Sequence, residues 1–392
     1  EFLGDEWAFI DCPGSVELSQ ESFNALLAAD VAVIVCEPSA ERAVALAPIF
    51  RFLQERKIPH MVFINKMDTA TQPVQAVLES LQIGSGWPLL LRHLPIVEGE
   101  EISGYVDLVS ERAYKYKPGE ASDLITIPGE MSDEEELARQ VMLESLADFD
   151  DDLLEQLLED AIPPTDEVYE QLTKDLRNGL IVPVFMGAAE QEHGVRRLMK
   201  ALRHETPSPD DSAARLGINA SGEAVAQVFK TLHAAHSGKL SLARVWRGEI
   251  SEGETLGGMR VGGLSKLMGA NQTKSAKAVL GDVVALGRMD EVTTGDILTP
   301  SGEVPEGMAP WPKPLTPVYA FALEAVNRAD EVKLTGALQR LNEEDPSVSY
   351  RQDNDIHQLV LMGQGEIHLQ LAIERLNNKY NVEARTEKPR VP

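Results

Sequence analysis

The sequence predicts a multi-domain α/β protein, and three observations predict it. Its 392 residues exceed one ordinary domain. Its first part alternates apolar runs (WAFID, VAVIVC, HMVFIN) with helix-patterned stretches, which indicates a parallel sheet covered on both faces. Its second part changes to short β-rich runs and then to a βαββα-like stretch, each preceded by a proline-containing linker.

Taken in order, WAFID (7–11) reads as a strand and ESFNALLAAD as a helix. VAVIVC (31–36) is a buried strand, AERAVALAPIFRFLQERK an amphipathic helix, HMVFIN (60–65) a second buried strand and TQPVQAVLESLQ a further helix. From about 88 to 180 the pattern shifts. PIVEGEEISGYVDLVSERAYKYK suggests a strand pair or small sheet, and acidic helices follow it. LIVPVFMGAA returns to a buried strand, and GVRRLMKALRHETPSPDD is a helix running into a linker near 206–216. EAVAQVFKTL, LSLARVWRGEI and VVALGRM, separated by the turns HSGK, SEGE and TTGD, read as a small β-barrel. After EGMAPWPKPLTP come strand PVYAFALEAV, helix DEVKLTGALQRLNEEDP, strand QLVLMGQG and helix EIHLQLAIERLNNKY, a small α/β sandwich. The expected domains are 1–210 with an insert at about 90–180, then 217–309, then 315–390.

Composition narrows the function classes. A net charge of -27 argues against tight binding to bare DNA or RNA, but allows docking on basic proteins of a large ribonucleoprotein. The acid concentrates in 132–160, where Leu137, Val141, Leu146, Leu153, Leu157 and Leu158 fall close to helical spacing. A solvated acidic face on two packed helices is expected there, with a docking surface for a basic partner as the alternative. No window is apolar and long enough to span a bilayer, and no secretory signal opens the chain. Cys12 and Cys36 are expected to be free thiols in a reducing compartment, and no Cys/His cluster suggests zinc. His357 and His368 read as packing or surface residues.

Three short motifs carry chemistry. Asp11 follows an apolar run and precedes Pro13-Gly14. A carboxylate there can hold Mg²⁺ through a water, and the glycine lets a backbone N–H approach a phosphate. DxPG alone equally describes a plain strand-to-turn exit. Asn65-Lys66-Met67-Asp68 also leaves a buried strand. The Asp68 carboxylate can accept both N1–H and N2–H of guanine, a donor pair that adenine lacks, while Asn65 can bridge base and loop and the Lys66 stem can cover the ring. Gly187-Ala188-Ala189 closes the third strand, and small residues there let a backbone N–H reach the guanine O6, although alone the tripeptide reads as a plain tight turn.

With these in register the chain resembles the translational GTPases, specifically bacterial elongation factor G or a paralog of it. DCPG stands where that family has DTPG, NKMD matches without change, and Ala188 stands where serine is usual. AQVFKTLHAAHSGKLSLARVWRGEISEGETL resembles its β-barrel domain II, and EEDPSVSY with LMGQGEIHLQLAIERL resembles domain III. EKPRVP resembles the joint into domain IV. The resemblance implies a partial P-loop-type GTPase domain with an α+β insert, a β-barrel, and a ferredoxin-like sandwich. It implies GTP/GDP and Mg²⁺ as cofactors and the ribosome as partner (rRNA and ribosomal proteins), with the stalk protein meeting the acidic insert. It further implies a cytoplasmic monomer with no membrane or DNA partner, coupling GTP hydrolysis to ribosome translocation.

Departures from the family pattern matter. No Gly-Lys-Ser/Thr phosphate loop occurs in the chain, and Ser15 stands where the family places the histidine that orients the attacking water. The chain is expected to be a fragment that binds GTP weakly, if at all, and does not hydrolyse it alone; for the complete protein Ser15 implies slow hydrolysis or a different water-positioning residue. Ser15 and Ala188 also fit a paralog acting in recycling, ribosome protection or regulation. A non-catalytic ribosome-binding module is the third reading.

Overall fold

His60–Ile64 is a strand with all five side chains buried. Such a strand needs partners on both edges and cover on both faces. The structure, a computed structural model, supplies them; it describes residues 1–99, 101–117, 119–234, 238–353 and 357–390. The chain divides into two compact units, Glu1–Trp7 with Ala29–Ser208, and Ala8–Ala28 with Pro209–Pro392.

Among its described residues the first unit holds strands β1 (Ala32–Cys36), β2 (His60–Ile64), β3 (Leu89–Leu91), β4 (His93–Glu98), β5 (Glu101–Asp107), β6 (Arg112–Lys115), β7 (Asp123–Ile125) and β8 (Val182–Met186). One sheet runs β1-β2-β8-β3, parallel throughout. β1 lies at its edge, and there the two faces differ: Ile34 is 6% exposed and Val35 58%. The insert forms an antiparallel meander β4-β5-β6-β7. One apolar cluster joins the two sheets and the helices, through Met61 and Phe63 of β2, Leu94 of β4, Val106 of β5, Leu146 and Leu172.

The acidic stretch folds as helices Ser132–Ala147 and Asp151–Leu158, but the buried stripe differs from the expected one. Leu146 and Leu153 are buried, whereas Leu137, Val141 and Leu158 are exposed. The first helix turns inward Glu135, Arg139, Met142, Leu143 and Leu146. Arg139 sets this face, because its guanidinium donates to the carbonyls of Leu108 (2.6 Å) and Val109 (3.0 Å), which leave β5 without ladder partners.

Two further expectations are corrected. WAFID is not a strand: residues 6–14 carry no ladder, and Ala8–Ala28 belongs to the second unit. Apolar content alone does not make a strand; it needs an edge to pair with, and none of the described strands pairs there. The linker near 206–216 is partly helical, with Pro209–Arg215 starting on a proline whose missing N–H costs nothing in a first turn. The predicted turn HSGK and the terminal EKPRVP extend beyond the described residues.

In the second unit, residues 225–298 form a β-rich body. Its six-stranded sheet centres on the long antiparallel pair Val225–Ala234 and Gly238–Arg247, with two short ribbons beside it. Alternate residues, such as Ala226, Val228, Ala243 and Val245, fill its core. Residues 319–387 form a βαββαβ sandwich whose four strands lie in the order Ser349–Asp353, Gln358–Gly363, Tyr319–Ala325, Ala384–Glu387, all antiparallel. Helices Glu331–Glu344 and Glu366–Asn378 pack Leu334, Leu338, Leu369 and Leu376 into that core. No helix among the described residues is long and apolar enough to cross a membrane.

The first unit yields two measurable expectations. Arg92, just past β3, and Glu205, ending helix Val195–Glu205, form an ion pair at 2.9 Å with side chains 0% and 3% exposed. Removing one member leaves a buried charge, so Glu205→Ala is expected to cost roughly 3–5 kcal/mol in denaturant unfolding, and a double Arg92→Met/Glu205→Met variant to regain most of it. His60 is buried in β2 and stacks on Trp87 at 4.9 Å. Burial pushes its pKa from 6.5 down to about 4. The folded state therefore keeps it neutral where the unfolded chain protonates it. That contribution is full above about pH 6.5 and disappears as pH falls through 4. At about 1.4 kcal/mol per pKa unit, His60→Gln should show a visibly shallower loss of Tm over this window than the parent chain.

Candidate functional site

In register, Cys36 of β1 stands beside Ile64 of β2, which stands beside Met186 of β8. The next residues, Glu37, Asn65 and Gly187, therefore emerge together at the carboxyl edge of the sheet, where parallel α/β folds present ligand-binding loops. The ladder continues one step beyond the strands. Asn65 N–H donates to Cys36 O (2.8 Å), Gly187 N–H to Ile64 O (2.9 Å) and Met67 N–H to Gly187 O (3.1 Å).

One side-chain bond ties the second and third loops together: Asn65 Oδ1 accepts the Ala189 N–H at 2.8 Å. Ala188 and His193 exchange both backbone bonds, at 3.1 and 3.0 Å. Gly187 is required by space, because a Cβ there would collide with the His193 carbonyl and the Phe63 ring. Lys66 takes a left-handed backbone (φ 58°), which starts the short turn Met67–Thr69 and lets Met67 drop into the core at 4% exposure. The Asp68 carboxylate is exposed, and no hydrogen-bond donor among the described residues holds it.

Four neighbours were not singled out from the sequence: Glu37, Arg42, His193 and Tyr116. Glu37 holds the Lys66 ammonium at 2.6 Å and also pairs with Arg42. The hydrogen bond to Lys66 lowers the Glu37 carboxyl and raises Lys66. His193, whose imidazole is pushed down by burial against the opposing pull of Asp68, stacks on Tyr116 at 4.4 Å. The register of β1 on β2 is the only signal that would have found Glu37, and it is not written in either strand alone.

Asp11, Pro13, Gly14 and Ser15 belong to the second unit, whereas the set just described belongs to the first. Asp11, Gly14 and Ser15 are exposed, and Pro13 O accepts from Ser22 Oγ at 3.2 Å. The residues that follow are held firmly. Glu17 accepts the His368 N–H at 2.8 Å, in the first turn of helix Glu366–Asn378, whose N-cap Gly365 has no side chain to do so. Gln20 accepts from Leu315 N–H at 2.7 Å, and Glu21 pairs with Lys230 at 3.0 Å. His368 is a packing residue, buried and bonded to Asp345 at 2.8 Å. Cys12 and Cys36 are free thiols, and burial raises both, Cys36 to about 12.

The loops of 65–68 and 187–189 fit a guanine base: an exposed carboxylate, an amide and a tight backbone turn share one edge. The N–H groups of Ala188 and Ala189 are occupied by His193 and Asn65, so a base oxygen reaching for Ala189 must displace Asn65. For Mg²⁺ the chain offers Asp11. Among the described residues no cluster of three or more His, Cys, Asp or Glu could hold a metal, and Mg²⁺ bound to a nucleotide needs only one or two carboxylates beside phosphate oxygens.

Gly187→Ala is expected to destabilise the first unit by roughly 1–3 kcal/mol through overpacking, read as a lowered urea midpoint.

Comparison with known proteins gives a consistent picture. The model of the elongation factor Tu GTP binding domain matches residues 4–208, and that of elongation factor G, domain III, matches 315–388. The chain is 47% identical over 386 residues to an elongation factor G-like protein of Synechocystis sp., covering 98% of this chain and 57% of that relative. It is 29% identical over 411 residues to elongation factor G of Rhodopirellula baltica, covering 97% and 57%. A crystal structure of a protein from Thermus thermophilus superposes with a TM-score of 0.84 at 31% identity, covering 97% of this chain and 57% of that one. The chain thus spans a little over half the length of the relatives it matches.

Proposed function

Since this chain belongs to the elongation factor G family of translational GTPases, we propose that it binds guanine nucleotide at the carboxyl ends of β2 and β8 and serves as a GTP-dependent translation factor on the ribosome. The observation that carries this reading is the Asn65–Ala189 bond, which makes two distant loops into one surface. Asp68 accepts the N1–H and N2–H of the base and so selects guanine. Lys66 lies over the ring once released from Glu37, and the turn Gly187, Ala188 and Ala189 meets the O6 edge, the Ala189 N–H passing from Asn65 Oδ1 to the base oxygen. On the phosphate side Asp11 holds Mg²⁺ through a water, and Pro13 and Gly14 let the backbone approach.

When bound, GTP and Mg²⁺ supply the phosphoanhydride and the charge that hydrolysis needs. Ser15 takes the water-positioning place, and its short hydroxyl makes turnover slow. No Gly-Lys-Ser/Thr loop lies in the chain, so these 392 residues by themselves bind GTP weakly. The grip of Glu17 and Gln20 on His368 and Leu315, and of Glu21 on Lys230 of the β-rich body, supports a route from the DCPGS segment to residues 225–298 and 315–388, through which nucleotide state drives ribosome translocation. Ser15 and Ala188 favour a second reading on the same site, a paralog acting in recycling, protection or regulation. The acidic helices carry Leu137, Val141, Leu154 and Leu158 exposed among carboxylates, which suits a basic, partly apolar ribosomal protein such as the stalk. The protein acts as a cytoplasmic monomer.

The test is GTP turnover by the full-length gene product, with and without ribosomes. Ribosomes should stimulate it, Asp68→Asn should abolish it at moderate GTP, and Ser15→His should raise it. Glu155→Lys/Glu159→Lys should remove stimulation and leave ribosome-free turnover intact. Equal turnover with ATP, or indifference to Asp68→Asn, would sink the reading.

A further inference from the structure

A cavity of about 720 Å³ opens within the first unit, between β5, β6, residues Tyr116, Lys117 and Glu120, and helices Thr165–Arg177 and Val195–Glu205. It lies outside the residues proposed to hold guanine. Its volume falls in the range of roughly 300–1,000 Å³ in which proteins hold small ligands.

The walls are aromatic. Tyr105 and Tyr114 face each other across β5 and β6 and stack at 5.2 Å, and Tyr116 lies 5.5 Å from Tyr105. Tyr169 is contributed by the Thr165–Arg177 helix. Tyr105 and Tyr116 are buried, at 5% and 9% exposure. The Tyr116 hydroxyl is cut off from water and has no hydrogen-bond partner. A buried hydroxyl in that state carries a desolvation cost that a ligand's polar edge would remove.

Charge at the cavity is sorted by side. The inner acids are already neutralised, Asp107 by Arg197 and Glu205 by Arg92, each at 2.9 Å. Arg196, Lys200 and His204 follow one another at four-residue spacing, one face of one helix. Arg196 and Lys200 are exposed and have no ion-pair partner among the described residues. Such a basic ridge runs against a chain whose net charge is -27. Carboxylates come from elsewhere on the lining: Glu120, Asp166 and Glu192.

Tyrosine faces suit a planar ring, a basic ridge suits a phosphate, and carboxylates suit hydroxyl donors. We infer that this cavity is a second ligand site that takes a nucleoside monophosphate. Its base packs on the tyrosines with a polar edge at the Tyr116 hydroxyl, its phosphate meets Arg196 and Lys200, and its ribose hydroxyls meet the carboxylates. Tyr116 also stacks on His193, whose backbone pairs with Ala188, so the site stands one ring away from the 187–189 turn.

The experiment is calorimetric titration of the 392-residue chain with adenosine monophosphate, whose base lacks the donor pair that Asp68 would accept. Saturable binding of one molecule per chain is expected. It should weaken at least tenfold in Arg196→Glu/Lys200→Glu, a surface change that should leave the melting curve unaltered. It should weaken several-fold in Tyr116→Phe, which keeps the ring, and persist in Asp68→Asn. Adenosine and inorganic phosphate should each bind at least tenfold more weakly than the nucleotide. No saturable binding at millimolar nucleotide overturns the proposal. So does loss of binding in Asp68→Asn with retention in the double charge reversal, or inorganic phosphate binding as tightly as the nucleotide.

Discussion

The constraint on which the first unit depends is the burial of β2 on both faces and both edges. A strand without solvent contact cannot leave any backbone group unpaired, so β1 and β8 must lie on either side of it, in register. That register decides what appears at the carboxyl edge. Because Cys36, Ile64 and Met186 are level, Glu37, Asn65 and Gly187 follow as neighbours, and the bonds at 2.8 and 2.9 Å from Asn65 and Gly187 extend the ladder into the loops. The loops are thus an outgrowth of the sheet, and the geometry of Asn65 toward Ala189 is inherited from core packing 124 residues apart in sequence.

The insert is fastened by a different kind of contact. Arg92 to Glu205, Arg197 to Asp107 and Arg139 to the Leu108 and Val109 carbonyls are all charged groups taken out of water. Such groups add little net stability against an apolar replacement, but each meets its partner in one arrangement only. Apolar surfaces slide past one another at small cost; a guanidinium fixed on two carbonyls does not. The meander and its helices are therefore held in position more than they are held together.

Much of this was legible in the sequence, and the failures share a cause. β1, β2 and β8 could be read from continuous apolar runs, and NKMD and GAA were placed at their ends because strand ends are where such loops fall. In 319–387 both helices and the strands Tyr319–Ala325 and Gln358–Gly363 followed from spacing, whereas Ser349–Asp353 and Ala384–Glu387, polar strands at the two sheet edges, carry no apolar signal and were not picked out. WAFID has the apolar signal of a strand without a ladder to join. Leu137 and Val141 have the spacing of a buried stripe, yet Arg139 claimed that face because two carbonyls needed a donor. Periodicity reports what a segment could bury; it does not report which distant polar group decides the rotation. Glu37 and His193 were invisible for the same reason, since their partners, Lys66 and Ala188, reach them through register or a turn.

The segment carrying Asp11 to Ser15 shows how far such a decision can reach. Helix Glu366–Asn378 begins at Gly365, which has no side chain to satisfy the open N–H groups of the first turn. Glu17 supplies the missing acceptor from 351 residues away, and a Cβ at Gly365 would collide with its carboxylate. Glycine at the cap and glutamate after Ser15 are thus two halves of one device. The helix start is left incomplete by its own sequence and made good by Glu17, two residues past the DCPGS segment, with the N-terminal dipole adding to the attraction for a carboxylate. A helix cap provided in this way makes the order of the first turn depend on where the segment sits. Displacement of Ser15 and Gly14 would withdraw Glu17 and expose the His368 N–H, whereas a side-chain cap at position 365 would insulate the helix from any such movement.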